Sequence, residues 1–349
     1  MRNHKQIPTV PFFFNYPSYR IIKSYIFKRN KKALLFNLKG FLYYSINYNW
    51  RQLTANQRNL PDFLIIGEAK CGTTSLFHYI SQSPTVIPPM AKEIHYFDAI
   101  FHLNDPLNFP DYSNDKLLKI YKNQYAAFFP RKKEIYNKTG EQKAITGEAS
   151  PASLRHCGTH KIMKCILPDK TKYIAIFRNP TTRSRSIYYF MNRGKKNICT
   201  FDELVSRMRI EDERKKYNTI KTLYSHLAIR DAKVLCQNQS EHLPLILYLP
   251  CYAELLRNWY KIFPDKNKLL ILSFEEMAKS PQTTLNQVTD FLEIPRFRLT
   301  EAKNVKPIAG YDSSKNPPMK KETKEKLAEL FLPYNKQFYE LVNRDFGWD

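Results

Sequence analysis

Glycine is scarce in this chain, nine in 349 residues, which excludes collagen-like and glycine-rich low-complexity architectures. No self-similar period runs along it, so solenoids and propellers are excluded as well. Long apolar runs are missing. The best stretches, 243–253 and 40–50, are interrupted by proline or asparagine and fall short of the ~20 residues that cross a bilayer. The N-terminus lacks the ordered charged, apolar and small-residue regions of a secretory signal. The six cysteines (Cys71, Cys157, Cys165, Cys199, Cys236, Cys251) include no C-x-x-C pair and are thinly spread for a disulfide scaffold. They read as reduced thiols, and the expected compartment is the cytoplasm. His156, Cys157, His160 and Cys165 lack the paired spacing of a structural zinc site. They read as a helix that happens to carry them, and no metal is expected.

Acid is the remaining absence. Residues 1–60 contain no Asp or Glu but eleven Lys or Arg, nearly half of the chain's net charge of +24. Such an excess points to an anionic partner: nucleic acid, a membrane surface, or a phosphorylated or sulfated ligand. Nucleic acid is not supported by any helix-turn-helix, zinc-finger or RNA-recognition signature. The first 60 residues also carry Phe12, Phe13, Phe14, Tyr16, Tyr19, Tyr25, Phe27, Phe36, Phe41, Tyr43 and Tyr44. Aromatic plus basic composition suits an interfacial helix on anionic lipid, and equally a basic extension packed on its own domain.

From Pro61 the texture is that of a folded domain. With 43% hydrophobic and 25% charged residues, the chain can bury a substantial core. Phe63-Leu64-Ile65-Ile66, Tyr173–Phe177 and Leu269–Leu272 are short apolar runs of the kind that form buried parallel strands. Helical patterns lie between them, over 73–82, 152–167, 180–191, 201–235, 252–263 and 281–292, with Ser280-Pro281 as a helix start. Segment 99–143 reads as loops and short helices. The C-terminal pattern from Leu327 to Val342 is helical, with a break expected near Pro333. Strands alternating with helices predict an α/β, three-layer, P-loop-like domain over 61–349, with a central mainly parallel sheet flanked by helices, preceded by the basic aromatic segment 1–60.

The chemistry is concentrated in Phe63–Leu76, FLIIGEAKCGTTSL. Strand, glycine-containing turn and helix N-terminus together make an anion cradle, to which the hydroxyls of Thr73, Thr74 and Ser75 add donors. A Walker A loop reads G-x-x-x-x-G-K-[ST]. Gly67 and Gly72 have that spacing, but Thr73 stands where its lysine belongs, and the lysine here is Lys70. No convincing apolar strand ends in a magnesium-binding Asp. A P-loop kinase or NTPase, which would need magnesium and ATP, is therefore the weaker alternative.

This stretch resembles the 5′-phosphosulfate loop of sulfotransferases that use 3′-phosphoadenosine-5′-phosphosulfate (PAPS). Three further segments agree in the same order. Lys92-Glu93-Ile94-His95-Tyr96-Phe97-Asp98 is similar to the K-E-x-H-[FY]-F-D segment of the heparan-sulfate-type branch. Arg178-Asn179-Pro180-Thr181-Thr182-Arg183-Ser184-Arg185-Ser186-Ile187-Tyr188 resembles the 3′-phosphate motif R-[ND]-P-x-x-R-x-x-S-x-Y. Lys315-Asn316-Pro317-Pro318-Met319, then Pro333-Tyr334-Asn335 and Asp345-Phe346-Gly347-Trp348, resemble the late loop and last helix. Glu148-Ala149-Ser150-Pro151 matches a smaller signature. The resemblance covers about residues 61–349.

The resemblance implies sulfuryl transfer from PAPS, without a metal, to a hydroxyl or amine of an acceptor, most naturally a glycan. Lys70, Cys71, Gly72, Thr73, Thr74 and Ser75 would hold the 5′ side of the donor. Arg178 and Ser186 would hold the 3′-phosphate, and Lys315 would close over it together with Lys306. Lys70 would stabilise charge on the bridging oxygen. Glu93 would be the general base, its pKa raised by burial, with His95 on the same face of an extended segment orienting the acceptor or acting as the base itself. Two departures matter. Ala149 stands where heparan sulfate 3-O-sulfotransferases carry a lysine of the site, and no cysteine follows Cys251 where they carry a bridging pair. The first argues against that acceptor chemistry being preserved, and the second suits a cytoplasmic, bacterial enzyme.

Overall fold

The computed structural model describes residues 46–97, 114–137, 144–155, 160–192, 199–215, 252–300 and 316–348. Five strands form one sheet: β1 (Phe63–Gly67), β2 (Val86–Ile87), β3 (Ile145–Ala149), β4 (Lys172–Phe177) and β5 (Leu269–Ser273). Their order is β2-β3-β1-β4-β5, and every neighbouring pair is parallel. The helices used below are α1 (Thr73–Ile80), α2 (Asp115–Ala126), α3 (His160–Ile166), α4 (Pro180–Met191), α5 (Phe201–Ser206), α6 (Tyr252–Tyr260), α7 (Phe274–Lys279), α8 (Pro281–Leu292) and α9 (Lys321–Val342).

The two-residue period of β1 sorts its side chains into two layers. Phe63 and Ile65 face one core with Leu76, Ile80, Ile174, Ile176, Leu285 and Val288, which brings α1 and α8 onto that side. Leu64 and Ile66 face the other core with Ile162, Met163, Phe177, Trp259 and Phe338, under α3, α6 and α9. A third cluster, built from Ile187, Leu204, Val205, Leu327 and Phe331, joins α4, α5 and α9. The fold is therefore the three-layer α/β arrangement expected of the sequence, with helices on both faces of a parallel sheet.

Strand β3 departs from the sequence reading. Its residues Ile145-Thr146-Gly147-Glu148-Ala149 are too polar to look like a buried strand, yet Thr146 and Glu148 are fully buried. Gly147 makes the strand's position possible: a Cβ there would lie 2.5 Å from the Phe63 ring. Helix α2, twelve residues long, also occupies a stretch read as loops and short helices. Pro333 does not break α9, which runs on as one helix of 22 residues. Proline has no N–H to give the carbonyl four residues back. That carbonyl belongs to Glu329, and the Arg214 guanidinium donates to it at 3.1 Å.

The packed domain begins before residue 61. Tyr48, on a helix over 46–53, is 2% exposed and belongs to the core beneath α3 and α6. Arg51 donates to the carbonyls of Ala127 and Phe129 at 2.6 and 2.7 Å, and Arg58 to that of Phe129 at 2.9 Å. Two of the eleven N-terminal cations thus satisfy backbone carbonyls of the domain. Among the described residues no helix is long and apolar enough to cross a membrane. His160 is a core histidine: fully buried, against the Trp259 ring at 4.8 Å, with its pKa lowered by burial to about 4. Cys165 is exposed, while His156 and Cys157 lie outside the described residues.

Candidate active site

In an open parallel sheet, ligands bind beyond the carboxyl ends of strands where the connections diverge. Here that point lies between β1, whose chain leads to β2 and β3, and β4, whose chain leads to β5. The loop after β1 carries Gly67–Gly72, and the loop after β4 carries Arg178. Sequence-distant residues are thereby brought to one crevice.

The β1 loop is braced from behind by buried charge. Glu68 is fully buried. Its carboxylate accepts from the Ala69 N–H and from Arg155 Nε at 2.6 and 2.7 Å, and pairs with Arg183 at 3.2 Å. Arg183, also fully buried, donates through Nε to the Ala69 carbonyl at 2.9 Å. The motif's second arginine therefore holds the loop rather than facing the crevice. The Tyr252 hydroxyl donates to the Arg178 carbonyl at 2.7 Å and lies 3.8 Å from Cys71 Sγ, so one phenol ties the two loops together. Burial pushes the Cys71 thiol up to about 11, which leaves it a packing group, and its N–H donates to the Glu68 carbonyl at 3.1 Å within the turn.

Gly72 begins α1 with φ +91°, a left-handed conformation that L side chains rarely adopt. A Cβ there would also lie 2.7 Å from Met277 and Phe274, so α7 packs directly on the turn. Thr73 is buried, whereas Thr74 and Ser75 are half-buried at the first turn, where helix N–H groups lack intrahelical acceptors. Lys70, at φ 67°, lays its ammonium 4.3 Å from the centre of the Phe190 ring on α4.

Glu93 and His95 both have positive φ, 56° and 54°, so their segment is not extended as the sequence reading supposed. The two side chains still meet: His95 Nε2 lies 3.7 Å from Glu93 Oε2. The His95 N–H donates to Ser150 Oγ at 2.9 Å. Ser150 in turn donates to Glu148 at 2.7 Å, and Tyr125 donates to the other Glu148 oxygen at 2.7 Å. The buried Glu148 thus anchors the strained segment to the end of β3. Backbone strain of this kind gathers at functional sites.

Lys92 donates to Thr74 Oγ1 at 3.0 Å and to Glu93 Oε1 at 2.5 Å, so one side chain spans the anion cradle and the candidate base. The expected rise in the Glu93 pKa is reversed. Burial raises it, but the hydrogen bond from His95 and the charge of Lys92 outweigh that and bring it to about 2.

Arg178 is half-buried, stacks on Phe274 at 4.4 Å and donates to Thr182 at 3.0 Å; burial lowers its pKa. Ser186 lies on α4, 9% exposed. Asn179 caps α4 by accepting from the Thr181 N–H. Glu275 accepts from both the Asn179 N–H at 2.9 Å and the Trp348 indole at 3.1 Å, which docks the terminal Asp345–Trp348 turn beside the site. Arg185 holds the carbonyls of Asn316 and Pro317. Lys306, Lys315 and Asp98 lie outside the described residues.

The family model described as the sulfotransferase domain matches residues 60–330. The chain belongs to the sulfotransferase-domain family. Its relatives include mouse heparan sulfate glucosamine 3-O-sulfotransferase 3B1, 25% identical over 315 residues that cover 84% of this chain and 66% of that protein. Another is the membrane-associated sulfotransferase kil1 of Dictyostelium discoideum, 25% identical, with 83% and 66% covered. The chain spans just under two thirds of the length of these relatives. A solved sulfotransferase from Alicyclobacillus acidocaldarius shares the fold, with a TM-score of 0.52 and 23% identity over 83% of this chain and 99% of that one.

Within this chain, sequence motifs pointed to Lys70, Thr74, Glu93, His95 and Arg178, and the fold brings them to one sheet edge. Glu68, Arg155, Tyr252 and Lys92 were not assigned roles. Lys92 alone had a usable signal, its place beside Glu93 in the motif. The partners of the other three are far apart in sequence, as with Arg155 and Glu68, 87 residues away.

Proposed function

We propose that this protein transfers a sulfuryl group from PAPS to a hydroxyl or amine of a carbohydrate acceptor. The observation that carries the reading is the Lys92 bridge, 3.0 Å from Thr74 in the anion cradle and 2.5 Å from Glu93. An anion site and a proton acceptor within reach of one ammonium suit a reaction that joins an anionic donor to a nucleophile. The donor set fits a polyanionic nucleotide: the N-terminus of α1, the hydroxyls of Thr74 and Ser75, and the cations Lys70, Lys92 and Arg178. The carboxylates nearby are already partnered, Glu68 by arginines and Glu93 by Lys92.

PAPS supplies an activated sulfuryl group. A bond forms from acceptor oxygen or nitrogen to sulfur as the bond from sulfur to the phosphate oxygen breaks, leaving adenosine 3′,5′-bisphosphate. Lys70 offsets the charge that builds on the departing oxygen. Glu93 takes the acceptor's proton, with His95 orienting the acceptor. With its pKa near 2, Glu93 is a weak base while Lys92 holds it. An anion at Thr74 competes for Lys92 and so strengthens the base when the donor is present. Arg178 and Ser186 take the 3′-phosphate. The carbohydrate acceptor is supported by the mouse relative, named for heparan sulfate glucosamine. Ala149, fully buried where those enzymes place a lysine, argues for a different sugar. Unpaired cysteines among the described residues suit a cytoplasmic enzyme.

The test is incubation with labelled PAPS and a panel of glycans, lipids and phenols, without magnesium. Label is expected to move to a glycan; a requirement for ATP and magnesium would overturn the reading. Lys70→Ala is expected to lower kcat by about 100-fold or more, with a much smaller change in donor affinity. Full activity in that variant removes Lys70 from the chemistry.

A further inference from the structure

Among the described residues, the helix over 46–53 is held to the domain through the face that carries Tyr48 and Arg51. On that face, the Tyr48 hydroxyl donates to the Gln124 carbonyl at 3.0 Å, and Arg51 is held by the carbonyls of Ala127 and Phe129. On the other, Ile46, Trp50 and Leu53 are 68%, 62% and 76% exposed. Positions i, i+4 and i+7 of a helix fall within an arc of about 60°. These three residues therefore form one apolar stripe, and the anchored Tyr48 and Arg51 set the direction in which it points.

The sequence leading into the helix is cationic. Residues 1–39 carry nine Lys or Arg and no acid. Lys132 and Lys133 are exposed beside the bridge between Arg58 and Arg131, which anchors the same segment, and the exposed Glu134 is the acid next to them. We propose that the 46–53 stripe docks the protein on an anionic lipid bilayer. A tryptophan flanked by aliphatic residues suits the headgroup boundary, and clustered Lys and Arg suit anionic lipid. A second copy of the same segment would meet its own positive charge, which disfavours self-association through this face.

The full chain is mixed with phosphatidylcholine vesicles, with and without phosphatidylserine, and followed by tryptophan emission and co-sedimentation. The chain has three tryptophans, and Trp259 and Trp348 are 1% and 3% exposed, so a change in emission reports Trp50. A blue shift and co-sedimentation are expected with phosphatidylserine, weakening with salt. The Ile46→Ser/Leu53→Ser double variant, which leaves Trp50, Tyr48 and Arg51 in place, is expected to keep its melting temperature and bind about tenfold more weakly. Equal binding to both vesicle types, no binding to either, or undiminished binding of the double variant would overturn the proposal. So would a blue-shifted emission before vesicles are added, because the face would then already be covered.

Discussion

Glu93 is governed by its neighbours more than by its burial. Its depressed pKa, about 2, arises because His95 and Lys92 together outweigh the desolvation of the carboxyl. The sign has two consequences. The group stabilises the fold fully above its unfolded value of about 4.3, and that contribution is lost as pH falls through about 2. As a base in the free enzyme, Glu93 is ionised at every pH above that. Lys92→Met removes the cation 2.5 Å away and leaves burial less opposed. The acid limb of the pH profile of kcat/KM is expected to move upward in this variant, and an unmoved limb would separate Lys92 from the base. Thr74→Val tests the other end of the same lysine: it is expected to weaken donor binding while leaving that limb near its wild-type position.

At the scale of elements, the brace behind the β1 loop matters most. Glu68, Arg155 and Arg183 come from the β1 loop, the turn after β3 and α4, so one buried ionic group fixes three connections at the sheet's carboxyl edge. Two cations against one anion leave net positive charge directly beneath the anion cradle. Glu68→Gln is expected to cost about 3 kcal/mol of stability, because both arginines lose a buried partner. The variant is also expected to lose donor affinity as the loop relaxes, measured by thermal melts and by nucleotide binding in the same preparation. In α9, Arg214→Ala is expected to cost about 1 kcal/mol in the parent and almost nothing in Pro333→Ala, whose restored N–H serves Glu329. Equal costs in both backgrounds would mean that Arg214 does not substitute for the missing donor. Elements of this kind also show where sequence reading stops. Strands β1, β4 and β5 are continuous apolar runs and were legible as such. Strand β3 was not, because it buries Glu148, whose hydroxyl partners Tyr125 and Ser150 meet it only in the folded chain. Lys70, Glu93 and Arg178 were legible because their motifs are local. The brace was not, because it is made of long-range pairs.

Over the whole molecule, the crevice lies between the two halves of the sheet, so a ligand there joins β1 to β4. A chain of net charge +24 repels itself in its compact state, and an anion held by Lys70, Lys92 and Arg178 as proposed would relieve part of that repulsion. Adenosine 3′,5′-bisphosphate is therefore expected to stabilise the entire domain. At a concentration about 100 times its Kd the gain is about 2.7 kcal/mol, a rise in Tm of about 4 °C for a domain of this size. Two controls decide what causes the rise. If the protein's own cations neutralise the ligand, the shift persists in a chelator of divalent metals and shrinks with added salt. If magnesium is the neutralising partner, the shift disappears in the chelator, and ATP with magnesium matches or exceeds it. Inorganic sulfate separates specific recognition from general relief of charge. It offers the anion but neither the adenosine nor the second phosphate, so it is expected to give only a small shift at the same concentration. An equal shift with sulfate would reduce the site to a basic patch and remove the nucleotide from the proposed reaction.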